Sequence, residues 1–272
     1  MTLRRTAVAL SAAALAISSL AACGSSDSGS GSDSKTIKVG IKYDQPGMGL
    51  KEGSKYTGMD VDIANYIAKE LGKTPEFTEA VSSQRETFLK TGKVDYIVGT
   101  YSITDARKKD VDFAGPYFIA GQDLLVKADS PITGPDAMSG KKMCSVKGST
   151  SATKFKEKYP DVQIQEYDTY SKCVEAIISG SVDALTTDNT ILSGYAAQEQ
   201  YKGKLKLAGK PFSEEKYGVG IKKGDKEMCT KVTDALKKMK SSGELKKVVE
   251  ANLGPAGFTV TDDMMPEPAA CS

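Results

Sequence analysis

Neither histidine nor tryptophan occurs among the 272 residues, and aromatic side chains of all kinds amount to only 7%. Without histidine the chain has no side chain that ordinarily changes charge near neutral pH, and it lacks the commonest metal ligand. A hydrolase triad and a zinc site are therefore poor readings, although carboxylate chemistry stays open. An excess of one charge is missing too. Lys and Arg number 37 against 35 Asp and Glu, a formal charge of +2, and the two signs are interspersed. Phosphate recognition needs a concentrated basic face, so no nucleic acid partner is expected. The apolar run Ala7–Leu20 is too short to span a bilayer comfortably. The remainder is globular in composition, 39% hydrophobic and 26% charged, and long enough for one large domain or two ordinary ones.

The N-terminal segment reads as an address. Arg4 and Arg5 precede the apolar run, which ends in Leu20-Ala21-Ala22-Cys23. Small residues before a cysteine resemble the lipobox of bacterial lipoproteins. That resemblance implies a signal peptide over 1–22, a lipidated (palmitate-bearing) Cys23 and anchorage outside the cell membrane. The alternative is an ordinary secretory signal with an incidental cysteine. Residues 23–34 continue as a Gly/Ser tether. Four further cysteines, Cys144, Cys173, Cys229 and Cys271, suit two disulfides in an oxidising compartment, with three connectivities open. Cys144–Cys173 and Cys229–Cys271 are the expected pairs. The first would join a strand to a nearby helix, and the second would pin the C-terminal tail. A metal site is the weaker reading, since neither CxxC spacing nor histidine accompanies them, and no cofactor is expected.

The body of the chain alternates strand and helix patterns. Thr36–Ile41 reads as a strand and Lys42–Gly53 as a Gly/Pro loop; Ile63, Ile67 and Leu71 then recur at helical spacing up to Gly72. Thr74–Ala80 is the next strand, Ser83 and Glu86 have capping-box spacing, and Val94–Thr100 reads as a third strand. The order β-α-β-α-β implies parallel strands. A second unit of similar order follows from Gly121 to Asp188, and the last third returns to helices over Lys226–Lys240 and Glu244–Leu253. Two α/β lobes joined by extended strands are expected, with crossings near Tyr117–Gly121 and Ser213–Tyr217.

Thr100–Tyr117 carries the chemistry. Ser102 and Thr104 supply hydroxyls, and Arg107 supplies a planar guanidinium that grips a carboxylate bidentately. The same stretch alone reads equally well as a solvated loop. Ligands of open α/β sheets bind beyond the carboxyl ends of the strands. That rule gathers the loop from Lys42, Thr100–Arg107, Gly148–Ser151 and Asp188 at one cleft.

Three motifs add a resemblance: Gly58–Ala64 (GMDVDIA); Ser102–Lys109 (SITDARKK) with Val111-Asp112-Phe113 and Pro116-Tyr117; and Gly180–Leu185 (GSVDAL) leading to Asp188. In this order the chain from about Lys35 to Gly254 resembles the amino-acid-binding proteins of bacterial ABC importers, the polar amino acid group of solute-binding proteins. The resemblance implies a two-lobed, type II periplasmic-binding-protein-like α/β fold. Residues 35–118 with 217–256 would form one lobe, 119–216 the other, and 257–272 a tail. It implies that Arg107, with Ser102, Thr100, Ser149 and Thr150, holds an α-carboxylate, while Asp188 accepts from the α-ammonium. Asp188 could also serve as a helix N-cap. Lys42 and Arg85 match positions that hold a side-chain carboxylate in members taking acidic amino acids, and Thr187 could touch the ligand side chain. Lys42–Gly47 (KYDQPG) is also similar to actinobacterial glutamate-binding lipoproteins. The implied ligand is glutamate, then aspartate. The implied partners are an ABC permease and its ATPase, the membrane through Cys23, and no second copy of the chain. Binding of another polar amino acid such as glutamine, or cyclohexadienyl dehydratase-like chemistry on the same fold, are the alternatives.

Overall fold

The computed structural model describes Lys35–Ser272. The signal peptide, the lipidation residue Cys23 and the tether lie outside these residues. In chain order the elements are β1 (Thr36–Ile41), β2 (Asp44–Gln45), β3 (Gly49–Glu52), β4 (Lys55–Thr57), α1 (Met59–Glu70), β5 (Thr74–Glu79), α2 (Arg85–Thr91), β6 (Tyr96–Ile97), α3 (Asp105–Lys108) and β7 (Val111–Ala120). There follow β8 (Gln122–Lys127), β9 (Lys142–Val146), α4 (Thr150–Lys158), β10 (Gln163–Tyr167), α5 (Tyr170–Ser179), β11 (Ala184–Asp188), α6 (Asn189–Ala197) and β12 (Leu205–Leu207). The chain closes with β13 (Glu215–Lys222), α7 (Lys226–Ser241) and α8 (Glu244–Leu253).

Two five-stranded sheets form the two lobes, in the orders β5-β1-β6-β13-β7 and β10-β9-β11-β8-β12. β1 lies parallel to β5 and β6, and β9 parallel to β10 and β11, as successive βαβ units require. The long strands β7 and β13 pair antiparallel along most of their length, Glu215 opposite Ala120, at the point where the chain passes between the sheets. β13 is packed so closely that a Cβ on Gly220 would meet the Tyr101 ring at 2.6 Å. α1 buries Val61, Ile63, Ile67 and Ala68, and Gly72, at φ 68°, ends it in the left-handed conformation that glycine adopts freely. No helix among the described residues is long and apolar enough to cross a membrane.

Several local expectations change. The segment Lys42–Gly53, read as a loop, holds β2 and β3, which with β4 form a separate three-stranded sheet; its Gly and Pro residues hid strands of two and four residues. The capping box at Ser83 does not form. Ser82–Gln84 makes a 3-10 turn, and α2 starts at Arg85 with no side-chain cap. The third strand is only Tyr96–Ile97, because the chain turns sharply at Thr100. The tail 257–272, expected to be pinned by its disulfide, is held by more than that bond: Ser272 exchanges backbone hydrogen bonds with Phe113 on β7, and Met265 is buried.

Disulfides join Cys144 to Cys173, tying β9 to α5, and Cys229 to Cys271, tying α7 to the tail. The second closes a loop with a sequence separation of 42. Replacing Cys229 and Cys271 together by serine is expected to lower the unfolding free energy by about 2–4 kcal/mol in urea melts. No measurable change would mean that the Phe113 pairing alone secures the tail.

Candidate functional site

The first lobe's side of the cleft is built on a strained residue. Thr100, directly after Gly99, has φ 44°, a left-handed conformation costly for a β-branched side chain. Three groups hold it there. Its N–H donates to Asp60 Oδ2 at 2.7 Å, its hydroxyl donates to Gln45 Oε1 at 3.2 Å, and its carbonyl faces Arg85 Nη1 at 3.4 Å. Arg85 also donates to the carbonyls of Gly99 and Ser82 and lies 4.1 Å from the centre of the Tyr101 ring. Arg107 shares that ring at 4.9 Å. It is carried on α3, whose N-cap Thr104 accepts from the Arg107 N–H, and its Nη1 donates to the Ser102 carbonyl at 2.8 Å.

Three cations therefore crowd one buried wall. Lys42, at the exit of β1, is 3% exposed and donates to Ser82 Oγ; Arg85 is 2% exposed and Arg107 9%. Burial, and then the Arg85 charge, push the Lys42 ammonium well below its ordinary pKa. The same two causes lower Arg107 to about 10. Arg107 has one carboxylate partner, Glu86, at 3.3 Å. Among the described residues neither Lys42 nor Arg85 sits within ion-pairing distance of a carboxylate.

The second lobe offers the opposite polarity. Asp188 ends β11 directly opposite Gln122 on β8. Its Oδ2 accepts from Tyr217 at 2.6 Å, but its Oδ1 has no partner, and neither does Gln122 Oε1. Two unmatched acceptors side by side ask for a donor with several N–H groups. Asp188 occupies the N-cap position of α6 without capping it. Burial, and then the charge of Glu215, raise its carboxyl to about 7. Ser149 does cap α4: its hydroxyl accepts from the Ala152 N–H at 3.0 Å and is committed to the helix. The hydroxyl of Thr150, the first residue of α4, takes no part in this cap.

The two sides meet. Arg107 Nη2 donates to the Gly148 carbonyl at 2.9 Å and Ser102 Oγ lies 3.3 Å from Thr150 Oγ1, which within the second lobe also accepts from Gln122 Nε2 at 3.4 Å. Arg85 reaches the Gly148 carbonyl at 3.5 Å. Thr187 is fully buried and its hydroxyl makes no hydrogen bond. Reading the sequence overlooked Asp60, Gln45 and Gln122. Asp60 looks like an ordinary acidic residue in a first helical turn, Gln45 fell in the supposed loop, and nothing marks Gln122 inside a strand pattern. The Asp60 carboxylate is wholly buried, also accepts from Tyr117 at 2.7 Å, and is raised by burial to about 6. Among the described residues no cluster of His, Cys, Asp or Glu could hold a metal.

Burial holds the Asp60 and Asp188 carboxyls above the ordinary carboxylate range, at about 6 and about 7, so the folded chain binds these protons more tightly than the unfolded chain. Their contribution to stability is complete below about pH 4 and is lost as pH rises to about 7. The melting temperature of the unliganded protein should carry this downward component between those values, and Asp188→Asn should make the decline shallower. An unchanged slope would mean that Asp188 ionises normally.

Comparison with known proteins assigns this geometry to a family. Residues 37–255 match the model of bacterial extracellular solute-binding proteins, family 3. The chain is 42% identical over 280 aligned positions to the glutamate-binding protein GluB of Corynebacterium glutamicum, covering 96% of this chain and 94% of that protein. It is 41% identical over 222 positions to the ABC transporter glutamine-binding protein GlnH of Bacillus subtilis, covering 79% and 80%. Among solved structures, an ancestral arginine-binding protein bound to glutamine superposes with a TM-score of 0.77 at 36% identity, over 81% of this chain and 98% of that one. With a cleft between two α/β lobes, opposite polarity on its two walls and a family match over most of its length, the chain belongs to the bacterial extracellular solute-binding proteins of family 3, a receptor rather than an enzyme.

Proposed function

We propose that this receptor binds amino acids, captures an acidic L-amino acid outside the cytoplasm, glutamate first and aspartate second, and delivers it to an ABC permease with its ATPase. The observation that carries the reading is the crowding of Lys42, Arg85 and Arg107 on one buried wall where, among the described residues, Glu86 is the only carboxylate paired with any of the three. Burying like charges together is costly unless counter-charge arrives. A dicarboxylic amino acid brings two carboxylates to that wall and one ammonium to Asp188 Oδ1 and Gln122 Oε1. An arginine or lysine side chain would be repelled there. Glutamine would leave Lys42 and Arg85 without their counter-charge. The similarity to GluB supports the same choice.

In this reading Arg107 grips the α-carboxylate, with donors from Ser102, Thr150 and the first amides of α4 and support from Thr100 and Ser149. Lys42 and Arg85 face the side-chain carboxylate, and Thr187 lies near the ligand body. Residues 35–118 with 217–256 act as one jaw and 119–216 as the other, the tail 257–272 being fastened to the first. The receptor works as a monomer held to the membrane by lipid on Cys23.

Glutamate at a hundredfold excess over Kd should add about 2.7 kcal/mol of stability, which raises the melting temperature by about 5–10 °C for a chain of this size. Leucine and lysine should leave it unmoved, as should Arg107→Ala or Asp188→Ala with glutamate present. A larger shift with glutamine or arginine than with glutamate would defeat the assignment. Lys42→Met should act with opposite signs on two measurements. The unliganded protein should melt higher, because a buried repelled ammonium is gone, while calorimetry should read glutamate binding weakened about tenfold to a hundredfold.

A further inference from the structure

A second set of contacts joins the lobes through groups that were given no ligand role. On the first lobe the chain turns through Asp44, Gln45 and Pro46; on the second, α5 and α6 face that turn. Asp44 Oδ2 accepts from the Ser171 N–H at 3.1 Å, in the first turn of α5, where an amide has no partner within its own helix and a carboxylate is favoured. The same oxygen accepts from the Tyr195 hydroxyl at 3.2 Å, which also donates to the Asp44 carbonyl. One residue earlier, Gly194 brings the backbone of α6 against Pro46. A Cβ at Gly194 would overlap the Pro46 carbonyl oxygen and lie 2.9 Å from its carbon. Nothing in α6 itself asks for glycine at this interior position. Its φ lies outside the left-handed region, and alanine is the better helix former. The glycine is accounted for by the approach of the other lobe.

We propose that Asp44, Pro46, Ser171, Gly194 and Tyr195 form a latch between the lobes that sets the closed fraction of the receptor, and with it the affinity for every solute the receptor takes. The latch acts on whatever fills the cleft, so it goes beyond the assignment of glutamate. When only a fraction of molecules can adopt the binding-competent form, the observed Kd rises by the inverse of that fraction for all ligands alike. A residue touching the ligand changes the ranking of ligands; a latch residue lowers every affinity by one factor.

The test is calorimetric titration of the wild type, Gly194→Ala and Tyr195→Phe with the common L-amino acids, together with thermal melts of the unliganded proteins. Gly194→Ala is expected to melt at or above the wild type without ligand, since alanine favours the helix. It should bind each amino acid that the wild type binds about tenfold or more weakly, with the ratios among ligands preserved. Tyr195→Phe should move affinity the same way by a smaller factor. Unchanged affinity in Gly194→Ala overturns the latch. So does a loss confined to one ligand, or an unliganded melting point well below wild type, which would mark the glycine as a requirement of the fold. Should the wild type prefer glutamine to glutamate, the ligand assignment falls while the latch is still read from glutamine.

Discussion

A carboxylate shut away from water needs hydrogen bonds on both oxygens, and Asp60 has them from Thr100 and Tyr117. Much of the first lobe's binding wall follows from that one group. By holding Thr100 in a left-handed conformation, Asp60 turns the Gly99 and Thr100 carbonyls toward Arg85. Arg85, thus seated, lies on the Tyr101 ring that it shares with Arg107. The other oxygen binds β7, the strand that leads into the passage between the sheets. Loop, cations and crossing strand are therefore linked through a residue that need never meet the ligand.

The electrostatics of the two walls are deliberately unequal in effect. Unmatched acceptors stand on the second lobe, while positive charge and the unpartnered Gln45 Nε2 stand on the first. Each wall alone is unfavourable, since buried polar groups left unpaired cost free energy. In the proposed reading a zwitterion oriented one way satisfies both and, oriented the other way, neither. Orientation is thus selected by polarity before any side chain is read.

The sequence was most legible where periodicity or glycine placement governs the backbone. The strand–helix alternation from Thr36 to Asp188 and the stops at Gly92 and Gly180 could be read from residue order, and the two disulfides were the expected pairing among the three connectivities open. Arg107 and Asp188 stood out only with the resemblance, since the first also reads as part of a solvated loop and the second as a helix N-cap. What stayed hidden depends on contacts distant in sequence. Gln122 matters only because register sets it opposite Asp188. The hydroxyl of Ser149 looked free for a ligand until its helix claimed it as a cap. Arg85, read as a ligand group alone, proves also to be a post for backbone carbonyls.

The disulfides have a mechanical meaning. One bond fastens β9 to α5 under the second sheet; the other fastens α7 to the segment that pairs with β7 on the first. Neither bridges the cleft. Oxidation therefore stiffens each lobe separately, so the covalent reinforcement of this receptor resists unfolding without tying one lobe to the other.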